Sequence, residues 1–152
     1  MAPPTKQISA AELTSLEHAF ASDPTSDAYR PLAEAYLALG RFMEAMVVCK
    51  KGVKAHPDDP APRVLLARVY ADQGKDKKAL EELQAVLQTW PAFAAAHRMA
   101  GALHLRLGDR DAGVAALRRA LEASPGDAET LALLQQYGVS AAPAPAASRA
   151  PA

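Results

Sequence analysis

The 152-residue chain has a single cysteine, Cys49. No internal disulfide can form, and nothing demands an oxidising compartment. Aromatic residues make up only 5% of the chain, which leaves few platforms for stacking exposed bases. Charge of one sign is not in excess, because 17 Lys and Arg face 17 Asp and Glu. A balanced chain lacks the broad positive field that drives phosphate binding, so nucleic acid is not an expected partner. No apolar stretch approaches the length of a transmembrane helix. The start, Met1-Ala-Pro-Pro-Thr-Lys-Gln, has no apolar signal segment and no lipid-attachment cysteine, and Ala2 stands where myristoylation needs a glycine. These absences predict a cytoplasmic protein with no membrane contact.

Catalytic signatures are missing as well. The sequence has no Gly-rich phosphate loop after a strand, no paired-cysteine zinc pattern and no nucleophile elbow. Of the four histidines, His97 and His104 stand seven residues apart on one helix face. Two turns separate such residues by about 10 Å, too far to share a metal ion. Both read as structural, as does Cys49, which has no base placed beside it and suits a small core position. The expectation is a non-enzymatic protein with no cofactor and no metal.

What the sequence has in abundance is alanine, 36 residues, the strongest helix former, and a repeat. Pro57, Pro91 and Pro125 lie 34 residues apart, and so do Gly40, Gly74 and Gly108. The columns between them align as well: Leu32, Leu66 and Ala100; Ala33, Ala67 and Gly101; Tyr36, Tyr70 and His104; Ala45, Ala79 and Gly113; Cys49, Leu83 and Leu117. Each unit reads as two helices. Pro60 to Gln73 carries Leu66, Val69 and Tyr70 on one stripe, Asp59 is the expected N-cap, and Gly74 supplies a left-handed stop. Asp76 to Thr89 carries a second stripe through Ala79, Leu80, Leu83, Val86 and Leu87. Small residues fall where the two helices must approach: Ala33 opposite Ala45, Ala67 opposite Ala79, Gly101 opposite Gly113. The glycine pair reads either as a closer crossing or as a weaker repeat. Pro31 conflicts with a long first helix and predicts a late start near Arg30, with Tyr29 extended.

The flanks follow the same scheme. Ser9-Ala10-Ala11-Glu12 is a capping box opening a helix to about Ala21. Asp127 to Tyr137 forms a lone helix whose Gln135 suits a polar terminal cap. Beyond it the chain is Ala/Pro/Ser-rich and is expected to be disordered. The boundaries read as a disordered start over 1–7, a flanking helix over 8–22, repeats over 26–59, 60–93 and 94–127, a capping helix over 128–138 and a disordered tail over 139–152.

The 34-residue unit, the run Leu66-Ala67-Arg68-Val69-Tyr70, then Gly74, Ala79 and Pro91, resembles the tetratricopeptide repeat (TPR) family. The likeness covers about residues 26–125, with departures. Tyr29, Arg63 and His97 stand where the family often has Trp, and His104 replaces a usual Tyr. The resemblance implies an all-α, right-handed solenoid of helix-turn-helix hairpins with flanking helices. It also implies a concave groove, lined by the first helix of each unit, that holds a partner peptide or helix. Carried onto this sequence, the groove residues are Arg30, Glu34, Leu37, Val64, Arg68, Ala71, Asp72, Arg98, Leu105 and Arg106.

Arg30, Arg68, Arg98 and Arg106 offer rigid forks for a ligand with acidic residues or a free C-terminus, with Leu37, Val64 and Leu105 as apolar pockets between them. The alternative is that the arginines pair with Asp27, Glu34, Asp72 or the neighbouring turns. Some TPR co-chaperones grip chaperone tails with Lys, Asn, Asn, Lys and Arg. Here Arg30 can stand for the first Lys, but Glu34, Leu65, Ala95 and Met99 occupy the other positions. Lys50, Lys51 and Lys54 are expected on the outer face, available for a second contact. The function implied is an adaptor or scaffold. The rival readings are a self-associating structural subunit, as a homo-oligomer, and a regulatory subunit of an enzyme carried on another chain.

Overall fold

A computed structural model of the chain describes residues 7–139. The expected disorder of the first residues and of the tail lies, except at Gln7 and Val139, outside the described residues. Among the described residues there are eight α-helices and no strand. They are α1 (Ala10–Ser22), α2 (Tyr29–Ala38), α3 (Phe42–Ala55), α4 (Ala61–Asp72), α5 (Asp76–Thr89), α6 (Ala94–Arg106), α7 (Arg110–Ala123) and α8 (Ala128–Gln136). The chain divides into two compact units within α5, one ending at Val86 and the other beginning at Leu87.

The first unit holds α1, the hairpin α2/α3 and the hairpin α4/α5. Its α1 begins with the expected capping box: the Ser9 hydroxyl accepts from the Glu12 amide at 3.1 Å and the Glu12 carboxylate accepts from the Ser9 amide at 2.9 Å. Phe20 of α1 joins Tyr29, Leu32, Tyr36, Leu37, Val48, Cys49, Leu66 and Val69 in one core cluster. The α4/α5 hairpin is tied across by Arg63 and Glu82, 2.8 Å apart. In the second unit α6 and α7 form the third hairpin, and α8 packs on α7 around Leu105, Leu117 and Leu134.

The glycine column works as its spacing requires. Gly40, Gly74 and Gly108 take φ of +70°, +77° and +87°, where a Cβ is strongly disfavoured. In each turn the following amide reaches back to close the helix: Arg41 N to Tyr36 O, Lys75 N to Tyr70 O and Asp109 N to His104 O, all at 2.8 Å. One six-to-one bond thus recurs every 34 residues and fixes the path from the first helix into the second.

Pro31 sits in the first turn of α2, and Tyr29 is helical rather than extended. The late start near Arg30 holds to within one residue and only the extended Tyr29 fails, because the first amides of a helix have no intrahelical acceptor and the amide that proline lacks is one the helix does not use. Pro62 occupies the first turn of α4 in the same way. The N-cap there is Pro60 and not the expected Asp59, whose carboxylate nevertheless accepts from the Ala61 amide at 2.9 Å just before the helix.

The glycine pair marks a close crossing. A Cβ on Gly101 would stand 2.7 Å from Leu117 Cγ and 3.0 Å from the Gly113 carbonyl oxygen. A Cβ on Gly113 would stand 2.7 Å from Leu105 Cγ and 3.0 Å from the Gly101 oxygen. Alanine gains about 1 kcal/mol of helix propensity over glycine. Overpacking a filled core costs about 1–3 kcal/mol, and here backbone as well as side chain must give. Gly101→Ala and Gly113→Ala are therefore expected to lower the melting temperature, and the double variant to unfold the α6/α7 hairpin first. Thermal melts followed by circular dichroism test this; a rise in melting temperature would show the crossing to be loose.

Candidate protein-binding surface

The first helices of two successive hairpins, α2 and α4, pack against each other within the first unit. Their apolar stripes turn inward. Leu32, Ala33, Ala35 and Tyr36 of α2 and Leu66, Ala67 and Val69 of α4 are buried. Charged side chains remain outside. Arg30 and Glu34 of α2 are exposed, as are Arg68 and Asp72 of α4, while Ala71 is half-buried.

Both pairs, Arg30 with Glu34 and Arg68 with Asp72, place the base on the N-terminal side of the acid, the less favourable order on a helix. Neither pair closes into a salt bridge. Arg30 reaches back toward the buried Tyr29 hydroxyl without good hydrogen-bond geometry, and burial pushes that phenol's ionisation upward. Arg68 meets no carboxylate among the described residues.

The second unit treats its arginine differently. Arg98 Nη1 donates to both carboxylate oxygens of Asp127, at 3.0 and 3.1 Å, and its Nε lies 3.2 Å from Glu129. Asp127 is also the N-cap of α8, accepting from the Thr130 amide at 3.0 Å and from the Thr130 hydroxyl. Arg98 is thus a strut between α6 and the start of α8. The alternative for the groove arginines, pairing within the chain, holds for Arg98, whose main partner, Asp127, lies in a neighbouring turn. The signal was present as a spacing: Arg98 precedes Asp127 by 29 residues, as Arg30 precedes Asp59, just before α4. Arg106 is exposed at the end of α6.

The apolar candidates are not open pockets. Leu37 is 7% exposed, Val64 9% and Leu105 7%. Leu37 belongs to the first unit's core, and Leu105 packs on Leu117 and Leu134. Helical spacing placed them on the first helices of the repeats, but those helices are apolar over more than one stripe, and neighbouring helices cover these side chains.

The remaining candidates are structural. The Cys49 sulfur is wholly buried, and desolvation pushes its thiol up to about 12, which keeps it protonated at neutral pH. His97 is 7% exposed, with Nε2 2.7 Å from the Pro91 carbonyl. The His56 ring lies 5.4 Å from the Tyr29 ring, tilted by 43°, and meets the Ser26 carbonyl at 3.2 Å. No described helix is long and apolar enough to cross a membrane.

Recurrent helix-turn-helix hairpins, closed by left-handed glycines and presenting charged first helices, define an all-α helical-repeat protein of the protein-binding kind. The chain belongs to the tetratricopeptide repeat family: family models of that description match residues 26–69 and 64–128. A thermophilic TPR protein of Thermus thermophilus shares its fold with a TM-score of 0.75 at 24% identity, over 84% of this chain and 71% of that one. The first TPR domain of human RPAP3 does so with a TM-score of 0.66 at 21% identity, over 72% of this chain and 87% of that one. The first TPR of Spaghetti (RPAP3), solved with the HSP90 peptide SRMEEVD, has a TM-score of 0.62 at 18% identity, over 88% and 96%. These likenesses place the fold class among the TPR α-solenoids. In sequence, 72 residues are 29% identical to the TPR repeat-containing thioredoxin TTL4 of Arabidopsis thaliana, which is 47% of this chain and 11% of that protein.

The Asp127 cap carries a pH signature. Its carboxyl is held below the ordinary value of 3.8, first by the Thr130 hydroxyl and then by the Arg98 guanidinium. A lowered native pKa favours the ionised form in the fold. The resulting stability is complete above the ordinary value and is lost as pH falls through the lower native one. Asp127→Ala is expected to cost about 1 kcal/mol at pH 7, the usual worth of such a cap. The gap to the parent protein should narrow below pH 3.8. Urea unfolding across a pH series measures both, and a gap that stays constant with pH would remove the carboxylate from the account.

Proposed function

We propose that the protein is a non-enzymatic adaptor that holds a segment of another protein on the outward faces of its first helices, chiefly α2 and α4. The observation that carries this reading is the pair of unclosed charge couples, Arg30 with Glu34 and Arg68 with Asp72. A fold that needed them for stability would close them, as it closes Arg98 onto Asp127 and Glu129. Arginine forks left open are suited to bidentate contact with carboxylates, and the Spaghetti TPR was solved with a peptide rich in acidic residues on the same fold.

Of the residues carried over from the family pattern, Arg30, Glu34, Arg68, Ala71 and Asp72 supply the contact in the first unit. Arg106 is the exposed arginine of α6, and Leu37, Val64, Leu105 and Arg98 support the helices that present them. Glu34 opposes a bare C-terminal carboxylate beside Arg30, so acidic side chains within a segment suit the surface better than a chain end. The rival roles, a self-associating subunit or a regulatory subunit of an enzyme on another chain, find no comparably open feature on these helices.

The test is affinity capture with the purified protein, run beside Arg30→Ala/Arg68→Ala. The retained partners should be lost from the variant, with helicity unchanged because both side chains are exposed. An identical set of retained proteins would take the arginines out of the mechanism.

A further inference from the structure

The outer face of α3 carries a second pattern that the first-helix surface does not use. Met43, Val47, Lys50, Lys51 and Lys54 follow one another at helical spacing within a single face. All are exposed, Met43 by 64% and Val47 by 52%. Beside the two apolar residues runs a trough of about 470 Å³ between α1 and α3, floored by Phe20, Leu32 and Tyr36.

The acids at its rim already have partners. Glu17 accepts from the Tyr36 hydroxyl at 2.7 Å, and Glu44 pairs with Arg41 at 3.0 Å. The lysines have none among the described residues beyond the contact of Lys51 with the Phe20 ring, 5.8 Å away. The helix dipole rewards Lys54 in the last turn but fades before Lys50 and Lys51. Lys50 and Lys54, one turn apart, repel each other.

We propose that this face of α3, with the trough it shares with α1, is a second docking surface, and that its occupant is an acidic amphipathic helix of a partner protein. Charge complementarity fixes the occupant: apolar side chains of that helix enter the trough beside Met43 and Val47, while its carboxylates stand over Lys50, Lys51 and Lys54. The shape favours a helix over a lipid surface. The trough is concave, and the opposite face of α3 is already buried through Ala45 and Cys49, which leaves two exposed apolar side chains to enter a bilayer.

The probe is a synthetic amphipathic helical peptide with leucines along one half of its face and glutamates along the other, followed by fluorescence anisotropy. A counterpart carries lysines in place of the glutamates. The parent protein should bind the acidic peptide at least about tenfold more tightly than the basic one, with an affinity that falls as salt rises. Lys50→Glu/Lys51→Glu/Lys54→Glu should reverse that preference, and Met43→Ser/Val47→Ser should weaken binding by about tenfold or more. Arg30→Ala/Arg68→Ala should leave this contact unchanged, so that failure here and failure of the first-helix surface are separable. Equal binding of the two peptides, or of neither, overturns the proposal. So does binding of phosphatidylserine vesicles in place of the acidic peptide, or a dimer in sedimentation that Met43→Ser/Val47→Ser abolishes.

Discussion

The closeness of the two helices in each hairpin is the constraint on which the rest depends. Ala33, Ala45, Ala67, Ala79, Gly101 and Gly113 occupy the crossing columns, and the four alanines are wholly buried. A larger side chain there would push the helices apart, and the glycine turn that joins them has a fixed reach. The six-to-one bond at each turn and the small residues at each crossing are therefore one device. It sets which side chains of the first helix reach the core and which stay outside. The outward charges of α2 and α4 follow from that setting.

The fold was legible because both halves of the device have a period. Glycines and prolines mark it at the turns and small residues mark it at the crossings, so even single helix boundaries could be read closely. Pro31 marks the late start of α2, and only the extended backbone expected of Tyr29 fails, because a residue with no amide is harmless there. In the first turn it breaks nothing, and the placement of Pro31 and Pro62 alike shows that position within the helix decides.

The binding surface was less legible, for a reason that particular residues make plain. A column in the repeat specifies which way a side chain leaves its helix, not what it meets there. Arg30 and Arg98 share a column and a spacing to the next cap, yet Arg98 closes on Asp127 and Glu129, whereas Arg30 is left beside Tyr29. The difference lies at the far end: Asp127 caps the final described helix together with Thr130, and Glu129 stands two residues further on to complete the grip. The column that reads Leu37, Ala71 and Leu105 shows the same limit, because a leucine there can reach the core while an alanine stays short of it.

A comparable exchange explains the departure from the family at its large aromatic position. Tyr29 fills that place completely, and its ring lies 2.8 Å from where a Cβ on Gly52 would stand. The equivalent column continues with Val86 and Ala120, and there the partner positions are Arg63 and His97. At the first of these crossings the large ring faces a glycine. The Arg63 guanidinium then pairs with Glu82, and the His97 ring nitrogen meets the Pro91 carbonyl. Both polar groups are absorbed by partners close to their own helices. Arg30 and Arg68 on the first helices and the lysines of α3 are among the cations to which the packing gives no such use.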